Sequence, residues 1–173
     1  MALAKLEANE VGRAVSLLID LRRQKADGIE VEVATHVAPD ADAILATALS
    51  AIALGGARIV WQSSDEDVGP RHPNRMGVDV RAGPRSIKGR ASSAAEVVAC
   101  AMQRLGWQFD ATAMEVVEEV TAIDSAKGGR RAAFNLGQQV LHLRAAGWND
   151  RETVGYVAGK LRSHLTPPRM VVE

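Results

Sequence analysis

The stretch 31–54 constrains the fold more than any other part of the sequence, because a strand pattern passes directly into a helix pattern. Over 29–34, Ile and Val alternate with Glu and Ala, which is typical of a β-strand. From Asp42 onward the sequence is rich in Ala, Leu and Ile, and it contains no Gly or Pro before Gly55, which predicts a helix. A strand–turn–helix unit is therefore expected here.

The turn inside this unit, residues 36–42, carries one imidazole and two carboxylates, those of His36, Asp40 and Asp42. The turn lies at the carboxyl end of a strand and the amino end of a helix, where open α/β sheets bind ligands. Hard divalent cations prefer carboxylate oxygens, and Mn²⁺ also accepts imidazole. The turn therefore predicts a site for a hard divalent cation. The alternative is that Asp40 and Asp42 only cap the helix and favour its positive end.

The rest of the chain predicts an α/β fold with a small parallel sheet flanked by helices and an extra C-terminal helical hairpin. An apolar strand over 57–62 follows the first helix, and a strand–helix–strand unit of this length requires parallel pairing and a right-handed crossover. A third short strand is expected over 77–80. Helical patterns cover 2–26, 94–105 and 111–123, and the hairpin is expected over 131–146 and 150–165.

Three segments are expected from this reading: an N-terminal helix (1–28), an α/β core (29–126) and the C-terminal hairpin (127–173) packed on that core. The formal net charge is +0, which gives no general attraction to nucleic acid or to a membrane surface. No apolar run approaches the ~20 residues that span a bilayer. The single cysteine, Cys100, lies in an apolar helical run and is interpreted as part of the core. Because one cysteine cannot form an internal disulfide, a reducing compartment, the cytoplasm, is expected.

Residues 71–90 form a basic segment that contains one acid, Asp79. Its basic side chains are those of Arg71, Arg75, Arg81, Arg85, Lys88 and Arg90. One interpretation is a phosphate-binding rim beside the acidic turn, with the arginines as bidentate donors. The other is a solvated loop that is balanced by the acidic cluster at 64–67.

The run His36-Val-Ala-Pro-Asp40-Ala-Asp42, followed by an Ala- and Leu-rich helix, resembles the first motif of the DHH phosphoesterase superfamily, which is close to H-x-x-P-D-x-D. That superfamily includes oligoribonuclease-like and cyclic-dinucleotide phosphodiesterases and manganese inorganic pyrophosphatases. Its members bind Mn²⁺ or Mg²⁺ at an α/β core. They hydrolyse phosphoester or phosphoanhydride bonds.

The resemblance extends over roughly residues 29–126. Asp79 is similar in setting to the aspartate of the second family motif, and Asp124 to the late aspartate of the fourth. The third motif, Asp-His-His, is missing, and the sequence Ser-Ile-Lys-Gly-Arg at 86–90 stands in its place. The following Ser-Ser-Ala-Ala-Glu at 92–96 resembles the helix start found downstream of the missing histidines.

The resemblance implies a set of site residues. The implied metal ligands are His36, Asp40, Asp42, Asp79 and Asp124. The implied catalytic residues are Asp42, Asp79, Lys88 and Arg90, and the implied substrate contacts are Arg81, Arg85, Lys88 and Arg90. Lys88 and Arg90 stand where the family has its two histidines, and a protonated lysine or arginine cannot ligate a metal. This replacement predicts either a single cation or a site without metal in which Lys88 neutralises the carboxylates.

The expected function is metal-dependent hydrolysis of a phosphoester or phosphoanhydride bond. The expected substrate is a phosphate-containing small molecule or a short oligonucleotide, and no membrane is involved. Two alternatives remain open. In one, the site binds phosphate or nucleotide but has lost catalysis. In the other, the helical ends assemble a regulatory homo-oligomer.

Overall fold

The computed structural model describes residues 8–66, 68–69, 71–81, 83–89, 92–124 and 135–169. The strands are β1 (Glu32–His36), β2 (Arg58–Gln62), β3 (Arg75–Val78), β4 (Ser86–Ile87), β5 (Gln108–Phe109) and β6 (Leu165–Thr166). The helices are α1 (Ala8–Ala26), α2 (Ala41–Ala53), α3 (Ala94–Arg104), α4 (Ala111–Asp124), α5 (Leu136–Ala145) and α6 (Asp150–Arg162). The predicted α/β class with a small parallel sheet flanked by helices is confirmed.

The main sheet has four parallel strands in the order β2-β1-β3-β4. From β1 the chain passes through α2 to β2 on one side, and it later returns to place β3 on the other side of β1. The strand order therefore reverses between β1 and β3. In open α/β sheets the crevice outside the carboxyl ends at such a reversal is the usual ligand position.

The two faces of this sheet are covered differently. Val33, Met76 and Val78 lie in the large core that the sheet shares with the helices. On the opposite face, Ala34 packs in a small cluster with Val68 and Val80, which come from the connections around β3. Loops thus cover part of one face, and helices cover the other.

Helix α2 lies at the centre of the helical layer. Eleven of its 13 residues are buried, because its sequence is apolar or small on all sides. It packs against β1, α3 and α6, so the C-terminal hairpin adjoins the strand–turn–helix unit. Among the described helices, none combines the length and apolar composition needed to cross a bilayer.

Several predicted boundaries are wrong in detail. The segment interpreted as a basic loop contains β4, which was not predicted. The antiparallel pair of β5 and β6 was not predicted either. The last predicted helix, expected to continue to 165, ends at Arg162, because the chain turns there to form β6. Cys100 is only partly buried, although it packs against the core as expected, and burial raises its pKa to about 11. The first residues of the predicted hairpin, 131–134, lie outside the described residues.

We expect Gly77→Ala to destabilise the protein by about 1–3 kcal/mol, because overpacking a tight site forces its neighbours to move. A Cβ atom at Gly77 would lie 2.6 Å from Val80 Cγ2 and 2.8 Å from Val68 Cγ2. Gly12→Ala on α1 is the matched control, since a Cβ atom there meets nothing within 4 Å. It should stabilise the helix by about 0.5–1 kcal/mol. Urea denaturation measures both changes, and equal effects would contradict the packing argument.

Candidate metal and phosphate site

His36 and Asp79 meet at the strand reversal. His36 is the last residue of β1, and Asp79 directly follows β3, the strand paired with β1 on that side. Both side chains therefore project from the carboxyl edge of the sheet. Asp79 has a φ of 50°, and Ala38 in the turn after β1 has a φ of 53°. Asp is among the non-glycine residues that enter this left-handed region most readily.

The side chains of His36 and Asp79 are in direct polar contact. His36 Nε2 lies 3.1 Å from Asp79 Oδ2, and His36 Nδ1 lies 3.1 Å from the carbonyl oxygen of Val37. In a neutral imidazole, a proton on Nδ1 donates to that carbonyl and leaves a lone pair on Nε2. A lone pair and a carboxylate oxygen then face each other, so a positive charge, either a proton or a metal ion, is needed between them.

Asp40 completes a three-residue cluster. One ligand atom from each of His36, Asp40 and Asp79 can be chosen so that all lie within 4.8 Å of one another. Adjacent oxygen ligands of an octahedral Mg²⁺ are about 3 Å apart, so the cluster can close on such an ion with small side-chain adjustments. Asp40 also caps α2, because its Oδ1 accepts the N–H of Ala43 at 3.0 Å. The capping interpretation of Asp40 is thus confirmed alongside its place in the cluster.

Lys88 approaches the same cluster from the end of β4. Its Nζ donates to Asp79 Oδ1, the oxygen that does not face His36. Partial burial lowers the pKa of Lys88, but the hydrogen bond and charge of Asp79 outweigh it and raise the pKa overall. The main chain is held by the Glu10 carboxylate, which accepts the N–H groups of Lys88 at 2.8 Å and of Gly89 at 3.0 Å. The carboxyl end of β4 therefore places a cationic side chain beside the cluster.

Asp42 does not join the three-residue cluster. Its carboxylate is buried, and its two oxygens accept the N–H groups of Ala94 at 2.9 Å and Ala95 at 2.8 Å, at the start of α3. Asp42 thus binds the start of α3, although the sequence predicted that it caps α2. Both oxygens of Asp42 bind a helix end, and its metal-ligand and catalytic roles stay predictions.

Burial raises the pKa of Asp42 to about 7, against the opposing hydrogen bonds from Ala95 and Ala94, and the charges of Asp79 and Asp124 raise it further. A carboxyl group whose pKa is raised on folding binds more protons in the native state than in the unfolded state. Its contribution to stability is complete below the unfolded pKa and is lost as the pH rises through about 7.

We therefore expect the free energy of unfolding of the metal-free protein to fall more steeply between pH 4 and 7 in the wild type than in Asp42→Asn. Asn is uncharged over this range and has nearly the same shape. Urea titrations in EDTA at several pH values measure the two slopes. Parallel curves would show that Asp42 ionises as easily in the folded protein as in the unfolded chain.

Asp124 is the last residue of α4 and is exposed. Its pKa is raised first by partial burial and then by the negative charges of Asp40 and Asp79, while Lys88 lowers it. These interactions place Asp124 beside the cluster, as predicted, although it is not one of the three grouped ligands. Asp124 ends α4, as the helical pattern over 111–123 indicated.

The predicted basic rim is divided between the two ends of the sheet. Arg85 donates through Nε to the carbonyl oxygen of Arg75, the first residue of β3, and its Nη2 lies 3.2 Å from Asp20 on α1. The guanidinium of Arg85 thus binds groups at the amino end of the sheet, away from the cluster, and its substrate contact stays a prediction. Arg81 is exposed beyond β3 and has no described contact with the cluster. Arg90, predicted as catalytic and substrate-binding, lies outside the described residues.

Two supporting residues were missed by sequence reasoning. Glu10 on α1 holds the chain at Lys88, and Arg144 on α5 donates to the carbonyl oxygen of Pro39 while its Nη2 lies 3.0 Å from Asp150. Each is an ordinary charged residue within a helical pattern, and each reaches its partner across a long sequence separation. No local signal in the sequence distinguishes them from surface charges.

No protein-family model, curated protein or solved structure matches the chain. The resemblance to the DHH phosphoesterases therefore depends on the sequence motifs alone, and it stays a prediction.

Proposed function

We propose that this protein is a DHH-like hydrolase of phosphoester or phosphoanhydride bonds that uses one divalent cation, Mn²⁺ or Mg²⁺. The substrate class is a small phosphate compound, of the nucleotide, oligonucleotide or pyrophosphate type. His36, Asp40 and Asp79 would hold the cation, and Lys88 would bind a phosphoryl oxygen beside it.

The observation that carries this proposal is the 3.1 Å contact between His36 Nε2 and Asp79 Oδ2 at the strand reversal. Two acceptor atoms at this separation match neighbouring ligands of a small hard cation. The second oxygen of Asp40 adds a further metal-ligand atom, because only Oδ1 is used in capping α2. A metal held there would supply a Lewis acid and activate a water molecule.

The side chains around the cluster have separate roles in the proposal. Lys88 neutralises the charge that develops on the phosphoryl oxygens in the transition state. Its side chain is 43 % exposed, so it can rotate from Asp79 toward a substrate. Asp124 is suited to accept a proton from the attacking water, since a carboxylate with a raised pKa is the stronger base.

The test is release of phosphate or nucleotide from pyrophosphate, a cyclic dinucleotide and a short oligonucleotide, each with Mn²⁺, with Mg²⁺ and with EDTA. We expect turnover of at least one substrate that depends on the metal and is abolished by EDTA. Lys88→Ala should lower kcat by about 10²–10³, the usual effect of removing one stabilising donor. The absence of metal-dependent turnover of all three substrates would contradict the hydrolase proposal.

A second candidate function is phosphate or nucleotide binding without catalysis. It is favoured by one observation, the contact of Lys88 Nζ with Asp79, because a lysine in this position can neutralise the carboxylate without any metal. This function predicts that pyrophosphate binds equally well in EDTA and in Mn²⁺ and is recovered intact. Calorimetry combined with phosphate detection separates the two functions.

A further inference from the structure

A groove follows the outer edge of the sheet between β2 and α6. It has a volume of about 390 Å³ and is lined by the start of β2, the end of α2 and one side of α6. A second cavity of about 460 Å³ continues past Trp61 to Val37 at the carboxyl end of the sheet. Arg151 lines both cavities. We call the two together the β2–α6 groove.

The strand along this groove has one unpaired edge. β2 pairs only with β1 in the part of the chain that the structure describes. The N–H of Arg58 donates to the carbonyl of Val31, just before β1, and the carbonyl of Gln62 accepts the N–H of Val37, just after it. Because main-chain groups alternate between the two sides of a strand, those of Ile59 and Trp61 point outward along the groove. An edge of this kind is a template for another strand.

Small residues form the floor of the groove, and an arginine with no ion pair to any described residue lies toward each end. Arg151, Gly155, Gly159 and Arg162 recur at helical spacing on one side of α6 and all line the groove. A Cβ atom at either glycine would meet nothing within 4 Å, so this side of the helix faces open space. Across the described residues, neither Arg151 nor Arg162 forms an ion pair, whereas Arg58 pairs with Glu30 at 3.2 Å.

We propose that the β2–α6 groove binds an extended acidic segment of another protein, which adds to the sheet as a strand beside β2. The main chain of that segment bonds to Ile59 and Trp61, and its side chains on the helical face enter the space above the two glycines. Arg151 and Arg162 are about 16 Å apart along the helix, a distance that about five residues of a strand cover. Acidic side chains near both ends of the segment therefore reach both arginines.

Charge and hydrogen bonding distinguish this partner from two others. A second copy of the chain, paired edge to edge through β2, would bring its own Arg151 and Arg162 toward those of the first copy, and like charges oppose that contact. A nucleic acid would satisfy the arginines. Its phosphate backbone lacks the alternating donors and acceptors that match the edge of β2.

The experiment uses a labelled heptapeptide, acetyl-EVEVEVE-amide, and fluorescence anisotropy with the whole protein in EDTA, so that hydrolysis plays no part. We expect saturable binding that weakens as salt is added, and slower amide hydrogen exchange at Ile59 and Trp61 when the peptide is bound. Arg151→Glu combined with Arg162→Glu should lower the affinity at least tenfold. Arg104→Glu, at an exposed position in the last turn of α3, is the matched control and should change it less than twofold.

Gly155→Leu gives a second variant that keeps the test decisive if the charge reversal impairs folding. Leu favours a helix and fills the groove, so the variant should fold and lose peptide affinity. The proposal is overturned if the acidic peptide does not bind, or if the lysine peptide KVKVKVK or the proline-interrupted EVEPEVE binds as well as the acidic one. It is also overturned if a seven-residue oligothymidylate binds more tightly, or if sedimentation shows a dimer that protects the β2 edge. None of these outcomes depends on phosphoester hydrolysis.

Discussion

Asp79→Asn should lower metal-dependent hydrolysis by about 100-fold or more and remove the stabilisation that Mn²⁺ gives to the fold. Asp79 is the residue that joins the two halves of the proposed site, because its oxygens contact both His36 and Lys88. Asn has the same shape and also tolerates the left-handed backbone at this position, so the main effect is the loss of the negative charge. Loss of an anionic ligand lowers metal affinity and the catalytic effect that depends on it.

The measurements are kcat/KM for the best substrate and the shift of Tm on adding Mn²⁺. For a ligand at 100 times its Kd, binding to the native state contributes about 2.7 kcal/mol of stability. Asp20→Asn is a matched control, since Asp20 is an ion-paired aspartate that contacts Arg85 at the opposite end of the sheet. If Asp79→Asn and Asp20→Asn have the same small effect on activity and on the Mn²⁺ shift, Asp79 has no role in binding the cation.

Gly89→Ala should destabilise the protein by about 2–5 kcal/mol and reduce activity in whatever fraction remains folded. Gly89 has a φ of +72°, which costs an alanine about 1–2 kcal/mol. In addition, a Cβ atom there would overlap the main chain of Ser93 and Ala94. Because these are backbone atoms at the start of α3, the helix end that binds Asp42 must move. Overpacking of this kind lowers the free energy of unfolding by a further ~1–3 kcal/mol.

Gly28→Ala separates the two causes. Gly28 has a φ of +80°, but a Cβ atom at this position meets nothing within 4 Å. Its substitution should therefore cost only the conformational part, about 1–2 kcal/mol. Urea denaturation of both variants measures the difference. If Gly89→Ala is no less stable than Gly28→Ala, the close approach of β4 to α3 is not as tight as described.

The fold was predictable where the signal is local. Alternation indicated β1, a short apolar run indicated β2, and a run without Gly or Pro indicated α2, because these patterns follow from which side chains face the core. β4 was not predictable, since two residues carry no period and a parallel neighbour normally needs a longer connection than the one that follows β3. β5 and β6 were also missed, because each is defined only by a partner far away in the chain.

The candidate site was predictable in part. The sequence pattern correctly placed His36, Asp40 and Asp79 at one edge, because parallel strands bring their carboxyl ends together. It could not assign the direction of the other side chains. Asp42 turns to α3 and Arg85 to α1, and both choices depend on contacts between segments that are distant in sequence. The alternative in which carboxylates only cap helices describes Asp42, but Asp40 both caps α2 and belongs to the cluster.

Whether His36 and Asp79 are ligands of one cation is tested most directly by a crystal of the wild-type protein soaked in Mn²⁺, with anomalous scattering measured at the manganese edge. The expected result is a peak between His36 Nε2 and Asp79 Oδ2, with Lys88 displaced from Asp79. A map in which the manganese peaks lie elsewhere, while Lys88 stays on Asp79, would contradict it.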